Sequence, residues 1–266
     1  MLYFTIGSTA YTTIRSEPSA TQAGREDERE LDRGRRGVER PNKQKIFRFG
    51  FDNIPTGLYL LLVMSATTTR APENTRRKIL QSAFEEFHRH GFQGGSLNQI
   101  VDAAGTTKGA LFHHFENKNE LGYAVVNELI QPRMKESWFG PLAESVDPIT
   151  DLKRLLRQAM KEEIAGGKYV EGCPLNNLAQ EMSPLDEGFR RCIDKVYCAW
   201  RESLAAAFTR GIKAGTVRKS VNPRRVAAFI VAAQTGIIGT AKNAQCEKLM
   251  LEAGAALFEY LDSLKA

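Results

Sequence analysis

Residues 96–118, SLNQIVDAAGTTKGALFHHFENK, constrain the fold more than any other stretch, because they encode two short helices meeting at a tight turn. Ser96 with Gln99 three residues later is a capping box, the arrangement that satisfies free N–H groups at a helix start. Leu97, Ile100, Val101 and Ala104 then repeat at helical spacing, and Gly105 stands where a left-handed residue ends a helix. Thr106 and Thr107 are positioned to cap a second helix through Phe115, with Ala110, Leu111 and His114 or Phe115 facing inward and Lys108, Gly109, Phe112 and His113 facing outward. Asn117 with Glu120 three residues on opens a third, longer helix.

Two short helices joined by a turn containing Gly form a helix-turn-helix, whose second helix enters the major groove of DNA. Upstream, ILQSAFEEFHRHGF (Ile79–Phe92) is an amphipathic helix ending in an aromatic and then Gly-Phe. The stretch from Thr75 to Asn127 resembles the reading head of the tetracycline-repressor (TetR) family of bacterial transcriptional regulators, whose pattern I-x-x-A-G-x-x-K-G-x-L-Y-x-H-F-x-x-K-x-x-L is matched here. The matching residues are Ile100, Ala104, Gly105, Lys108, Gly109, Leu111, His114, Phe115, Lys118 and Leu121. Phe112 replaces the usual Tyr, so a phosphate contact from that hydroxyl is missing. The resemblance implies an all-α protein with a three-helix DNA-binding head and a helical ligand-binding and dimerisation body, divided at 64–120 and 121–266. It implies DNA contact from Ser96, Thr106, Thr107, Lys108, Gly109, Ala110, Phe112, His113, His114 and Lys118, with Lys108 and Lys118 suited to phosphates.

The formal charge of +6, from 37 basic and 31 acidic residues, suits an anionic partner without identifying one. Residues 1–63 differ in character from the rest: REDERELDRGRRGVER mixes signs with almost no apolar periodicity, which reads as a disordered extension. The apolar run Leu58–Met64 is far short of the roughly 20 residues that cross a bilayer. A secretory signal is not expected so far from residue 1, and a cytoplasmic location is. Met64 precedes a polar lead, SATTTRAPEN, of the kind that opens this family's first helix, so Met64 is the expected natural start. That helix is expected from about Thr75 to His90.

Cys173, Cys192, Cys198 and Cys246 lack the paired spacing of a zinc site, and His88, His90, His113 and His114 lack a chelating one. No nucleotide-binding glycine pattern or nucleophile elbow is present, so neither an enzyme nor a cofactor or metal is expected.

Beyond Asn117, a helix is expected to about Trp138 with a bend at Gln131 and Pro132, then a loop over 140–148. Further helices are expected over Asp151–Ala165, Pro174–Met182, Leu185–Ala214, Pro223–Asn243 and Cys246–Leu264. Trp138, Phe139, Met160, Cys173, Asn177, Phe189, Tyr197 and Trp200 offer apolar surface with a few polar handles for a small-molecule effector. EGCPLNNLAQEMSP (Glu171–Pro184) resembles a segment of some TetR-family bodies, and Cys173 precedes a Pro-started helix whose N–H dipoles favour a thiolate. The last two helices carry more apolar surface than one body buries, and the resemblance implies that they join a second copy into a homodimer that reads a palindromic operator.

The resulting expectation is a DNA-binding transcriptional regulator, foremost a repressor released from its operator by a small molecule. Activation stays open. The alternative is a thiol-based electrophile or redox sensor acting through Cys173, and a third reading is a helical protein whose helix-turn-helix has lost DNA binding.

Overall fold

The computed structural model describes residues 56–266, with side chains from Pro72 onward. The expected disorder of 1–63 therefore falls mostly outside the described residues, as does most of the question of the natural start. Among the described residues the protein is all helical, apart from an isolated antiparallel bridge between Val217 and Lys265. No helix among them is long and apolar enough to cross a membrane.

The head comprises α1 (Thr56–His90), α2 (Leu97–Ala103) and α3 (Lys108–His114). Helix α1 starts earlier than expected, because Pro72 is accommodated inside it instead of marking its entrance. Proline's fixed φ near −65° is itself helical, so this residue is a poor boundary signal by itself. Ile79, Leu80, Ala83 and Phe87 form the buried stripe of α1, against which Ile100 and Val101 of α2 and Leu111 of α3 pack.

Next comes α4, a helical run over 118–142 that alternates α-helical turns with π-helical stretches at Val125–Ile130 and Lys135–Phe139. Here the expected loop from 140 is corrected, while the position of the expected bend, Pro132, falls between the two π-helical stretches. Pro132 sits at the start of the α-helical turn Gln131–Met134 between the two π-helical stretches, and helix continues to Leu142. π-helical turns close i→i+5 hydrogen bonds, so the missing N–H of proline is absorbed by a local widening of the helix.

The body adds α5 (Pro148–Ala165), α6 (Pro174–Met182), α7 (Glu187–Ala214), α8 (Pro223–Ala244) and α9 (Glu247–Asp262). Side-chain caps fix several starts: Asp147 accepts from Thr150 N–H, Asp186 from Phe189 N–H and Asn222 from Arg225 N–H. Gly167 and Gly215 take left-handed conformations after α5 and α7. Helix α7 is central. Its first half, with Phe189, Ile193 and Val196, shares one apolar core with the head, α4 and α6, while its second half shares another with α5, α8 and α9.

The head is thus fixed to the body by a continuous core across residues 120 and 121, with polar clamps around it. Gly122 lets Phe189 and Phe92 approach so closely that a Cβ there would lie 2.4 Å from the Phe189 ring. Glu181 of α6 accepts N–H bonds from Phe92 and Gln93, both at 2.8 Å. Tyr123 and Asn119 donate to Asp186, and Arg76 of α1 forms a two-pronged pair with Glu128 of α4.

Candidate nucleic-acid interface and internal cavity

The turn between α2 and α3 is built by its own side chains. Ser96 accepts from Gln99 N–H at 3.4 Å, and Thr107 accepts from Ala110 N–H at 3.2 Å. The second half of the expected capping box comes from elsewhere: Glu86 of α1, not Gln99, accepts the Ser96 N–H at 2.8 Å. Gly105 is left-handed, with φ of 62°, and Thr106 N–H closes back on the Val101 carbonyl. Asn117 caps α4 through Glu120 N–H.

Anchored by Leu111 and Phe115, α3 turns Lys108, Gly109, Phe112 and His113 outward, with Thr107 beside them. Phe112 is 47% exposed. Gly109 needs no backbone freedom and no space within the fold, since a Cβ would meet only Thr107 Oγ1, at 3.8 Å. Ala110 and Thr106 are half-buried at the edge of this face. His114 lies half inside, its ring 5.2 Å from that of His113, and desolvation, then His113 and Arg76, lower its pKa.

Lys118 is placed differently from the others. Its ammonium donates to the carbonyls of Gln93 and Gly95, at 3.1 and 2.6 Å, and stands 5.0 Å from the Phe92 ring centroid. Desolvation lowers its pKa against the pull of Glu181 and Glu86. In this position it fastens the α1–α2 loop, a role that motif matching did not disclose.

Among the expected effector residues, Trp138, Cys173 and Trp200 line one cavity of about 280 Å³ between α1, α4, α5, α6, α7 and α8. Met160 lies next door, in a smaller cavity shared with Trp138. The others are elsewhere. Phe189 is fully buried at the head–body junction against Phe92 and Tyr123. Asn177 donates to the Glu171 carbonyl, Tyr197 donates to Asn176 and stacks on Trp200, and Phe139 packs on the second core. Gln234 of α8 was not expected. It is 5% exposed and lines the cavity, yet its Oε1 has no hydrogen-bond partner in the protein, and neither does Trp200 Nε1. Nothing in the local sequence marks it, since α8 also carries Thr235 and Thr240.

At Cys173 the surroundings weigh against the thiolate on which the alternative sensor reading depends. Burial pushes the thiol up, and N–H groups of Asn176 and Leu175 at the start of α6 offset this only in part. Among the described residues no cluster of His, Cys, Asp and Glu could hold a metal ion, and all four cysteines are unpaired.

A helix-turn-helix head on a helical body with a mainly apolar pocket defines a class of protein, the helix-turn-helix DNA-binding regulators. Residues 79–125 match the family model described as bacterial regulatory proteins, tetR family, and residues 150–257 match that of the tetracyclin repressor-like C-terminal domain. An uncharacterised HTH-type transcriptional regulator from the lacX 3′ region of Lactococcus lactis subsp. lactis is 31% identical over 132 residues, covering 50% of this chain and 67% of that protein. The HTH-type transcriptional repressor DhaR of Mycobacterium sp. strain GP1 is 25% identical over 163 residues, 61% of this chain and 80% of the relative. A TetR transcriptional regulator from Chloroflexus aurantiacus J-10-FL superposes with a TM-score of 0.64 at 24% identity, covering 74% of this chain and 98% of that structure. The chain belongs to the TetR family: it is a DNA-binding transcriptional regulator and not an enzyme.

Proposed function

We propose that the protein is a cytoplasmic repressor that binds a palindromic operator as a homodimer and leaves it when a small molecule enters the cavity lined by Trp138 and Trp200. Residues 64–120 act as the reading head and 121–266 as the body. The observation that carries DNA reading is the exposed face of α3, where Lys108, Gly109, Phe112 and His113 project from a helix held in place by Leu111 and Phe115. Lys108 serves phosphates, Gly109 admits close approach of the backbone, and His113 addresses a base edge or phosphate. Ser96, Thr106, Thr107, Ala110 and His114 border this contact, and Lys118 holds the loop beside it.

Dimerisation is assigned to α8 and α9. Phe229 is 49% exposed and packs its ring 4.6 Å from that of Tyr260, beside the exposed small residues Ala228, Ala232 and Gly236. Such a surface lets two helices of a second copy approach closely.

Fluorescence anisotropy on the DNA upstream of the protein's own gene, at two salt concentrations, tests the reading. Tight binding that weakens with salt and is lost in Lys108→Ala/His113→Ala supports it. Equal affinity for random DNA, with no preferred fragment in a genome-wide selection, counts against it.

A further inference from the structure

Two hollows of the body meet at one arginine. The cavity of about 280 Å³ takes its apolar surface from Ile130, Met134, Trp138, Leu175, Trp200 and Ile238. A wider cleft of about 630 Å³ lies against it, lined by Gln81, Glu85, His88, Arg89, Lys168 and Glu171. Phe84, Arg133, Glu163, Gly172 and Pro174 belong to both linings, so apolar and polar space adjoin at these residues. A molecule that fills the first and reaches the second is apolar at one end and polar at the other.

The charges at this boundary decide the sign of the polar end. Glu171 already faces His88 at 3.6 Å and Arg89 at 3.8 Å, and Glu85 accepts from Gln81 Nε2 at 2.7 Å. Desolvation raises the Glu163 pKa, and Lys168 and His88 of the outer cleft pull it back, so this carboxyl has its counter-charges on the polar side.

Arg133 is different. Its guanidinium donates from Nη2 to the neutral Gln81 Oε1 at 3.0 Å and lies over the Phe84 ring, 4.3 Å from the centroid, and no carboxylate of the described residues pairs with it. A guanidinium is never neutral in a protein and carries its N–H donors in a planar fork, so most of them remain for a partner or for water. Held by an amide and an aromatic face, the fork is set for a carboxylate, which it grips through two parallel bonds. One guanidinium answers one negative charge, and Glu163 in the same lining disfavours a second. The contacts of Arg133 also tie α4 to α1, since Gln81 and Phe84 stand on the helix that supports α2 and α3.

We propose that the effector is an apolar monocarboxylate, with its hydrocarbon body in the inner cavity and its carboxylate on Arg133 at the border of the outer cleft. This deepens the effector reading above and rests on it. The carboxylate competes with Gln81 and Phe84 for the guanidinium, which loosens a tie between α4 and the helix behind the reading head.

The test is calorimetric titration of the full-length protein with octanoate, 1-octanol, octylammonium and acetate. The first three share a chain and differ in charge, whereas acetate keeps the head without the body. Arg133 is exposed, so its pair with a ligand stays open to water on one side. Octanoate is accordingly expected to bind about fivefold or more tightly than octanol or octylammonium, and acetate not to bind measurably. Arg133→Gln should bring octanoate down to the level of octanol while octanol itself changes by less than about threefold. Ile238→Trp, which fills the inner cavity, should weaken octanoate and octanol together. The ranking of probes on the unsubstituted protein keeps the test decisive should a variant fail to fold. The proposal is overturned if octanoate does not bind, if octanol or octylammonium matches it, if acetate binds as well, if the acid preference survives Arg133→Gln, or if Ile238→Trp changes neither affinity. Operator release measured in parallel separates the two claims. Octanoate bound without release sinks effector control and leaves recognition of the acid standing, whereas release by octanol with no preference for the acid does the reverse.

Discussion

His88 on α1 holds the carbonyl oxygen of Gly172, in the loop before α6, at 2.7 Å through Nε2. A carbonyl oxygen only accepts, so Nε2 carries the proton. The next residues, Cys173 and Leu175, form part of the cavity wall, which places one hydrogen bond between a ligand's surroundings and the helix that supports α2 and α3. Gly172 suits this junction twice over: its φ is 76°, and a Cβ would lie 2.7 Å from Lys242 Cδ. His88→Leu should therefore cost about 1 kcal/mol of stability, as the loss of one hydrogen bond does. It should also shrink the change in operator affinity that a ligand of this cavity produces, while free-protein affinity stays within a few-fold. Anisotropy titrations with and without such a ligand measure both affinities. An unchanged ratio would mean that coupling runs elsewhere, as through α4 and its Arg76–Glu128 pair.

Gly109 offers a separation of fold from function. In a helix, Gly is less stable than Ala by roughly 0.5–1 kcal/mol, and nothing in the structure opposes a methyl group here. Gly109→Ala is expected to leave thermal stability equal or slightly raised while operator affinity falls about tenfold, since a Cβ would stand between the helix backbone and the DNA. Scanning calorimetry beside anisotropy checks this; a variant with undiminished affinity would show that α3 does not approach DNA through this residue.

How much of this was legible beforehand depended on the range of the interaction. Ser96, Thr107 and Asn117 each bond an N–H three residues away, so their caps are readable from sequence, whereas α6 at Pro174–Met182 has no side-chain cap and is readable from its leading proline. Long-range partners are not. Glu86 completes the cap at Ser96 from ten residues upstream, and Lys118 turns to carbonyls more than twenty residues back; neither pairing has a local periodicity. Trp138, Cys173 and Trp200 were recognisable as candidates by chemistry, yet Phe189 has the same chemistry and lies in the core at the head–body junction. Only the path of the chain separates them. Gln234 is not legible as a lining residue, because a polar residue on a helix that also carries Thr235 and Thr240 looks like surface until the fold buries it.

The Glu181 carboxylate satisfies two backbone N–H groups of the α1–α2 loop at once, those of Phe92 and Gln93. Hydrogen bonds to a charged group are worth about 1.5–3 kcal/mol each, less where water reaches them, so Glu181→Ala should destabilise by roughly 2–4 kcal/mol. Urea denaturation of wild type and variant reads this directly. A loss below about 0.5 kcal/mol would mean that water replaces both bonds freely.

Cys173 should be slow to react. Its thiol pKa is raised by burial, and the thiolate, not the thiol, is the nucleophile. Cys192, pushed up to about 11 by the same cause, should behave alike. In native protein at neutral pH, iodoacetamide is expected to label both at least about tenfold more slowly than it labels them after unfolding, with the rate rising as pH climbs toward the thiol range. Peptide mass spectrometry resolves the individual sites. Fast native labelling of Cys173 would restore the electrophile-sensor reading, which needs a thiolate at neutral pH.

Phe229 tests the dimer and, through it, the reading of DNA. Its side chain is 49% exposed on α8, beside the exposed small residues Ala232 and Gly236, an apolar patch that a second copy would cover. In a two-fold dimer the same patch meets itself, so one substitution acts twice. Phe229→Glu would place two carboxylates at or near the contact, and burying either unpaired is strongly unfavourable. Light scattering should show the wild type as a dimer at micromolar concentration and the variant as a monomer with an unchanged helical circular dichroism spectrum. Because two half-sites are bound together only when the heads are joined, the monomer should also lose operator affinity by about a hundredfold while its weak binding to a single half-site persists. A variant that stays dimeric would move the interface off this face of α8, and a monomer that keeps full operator affinity would show that the two heads do not read DNA as a linked pair.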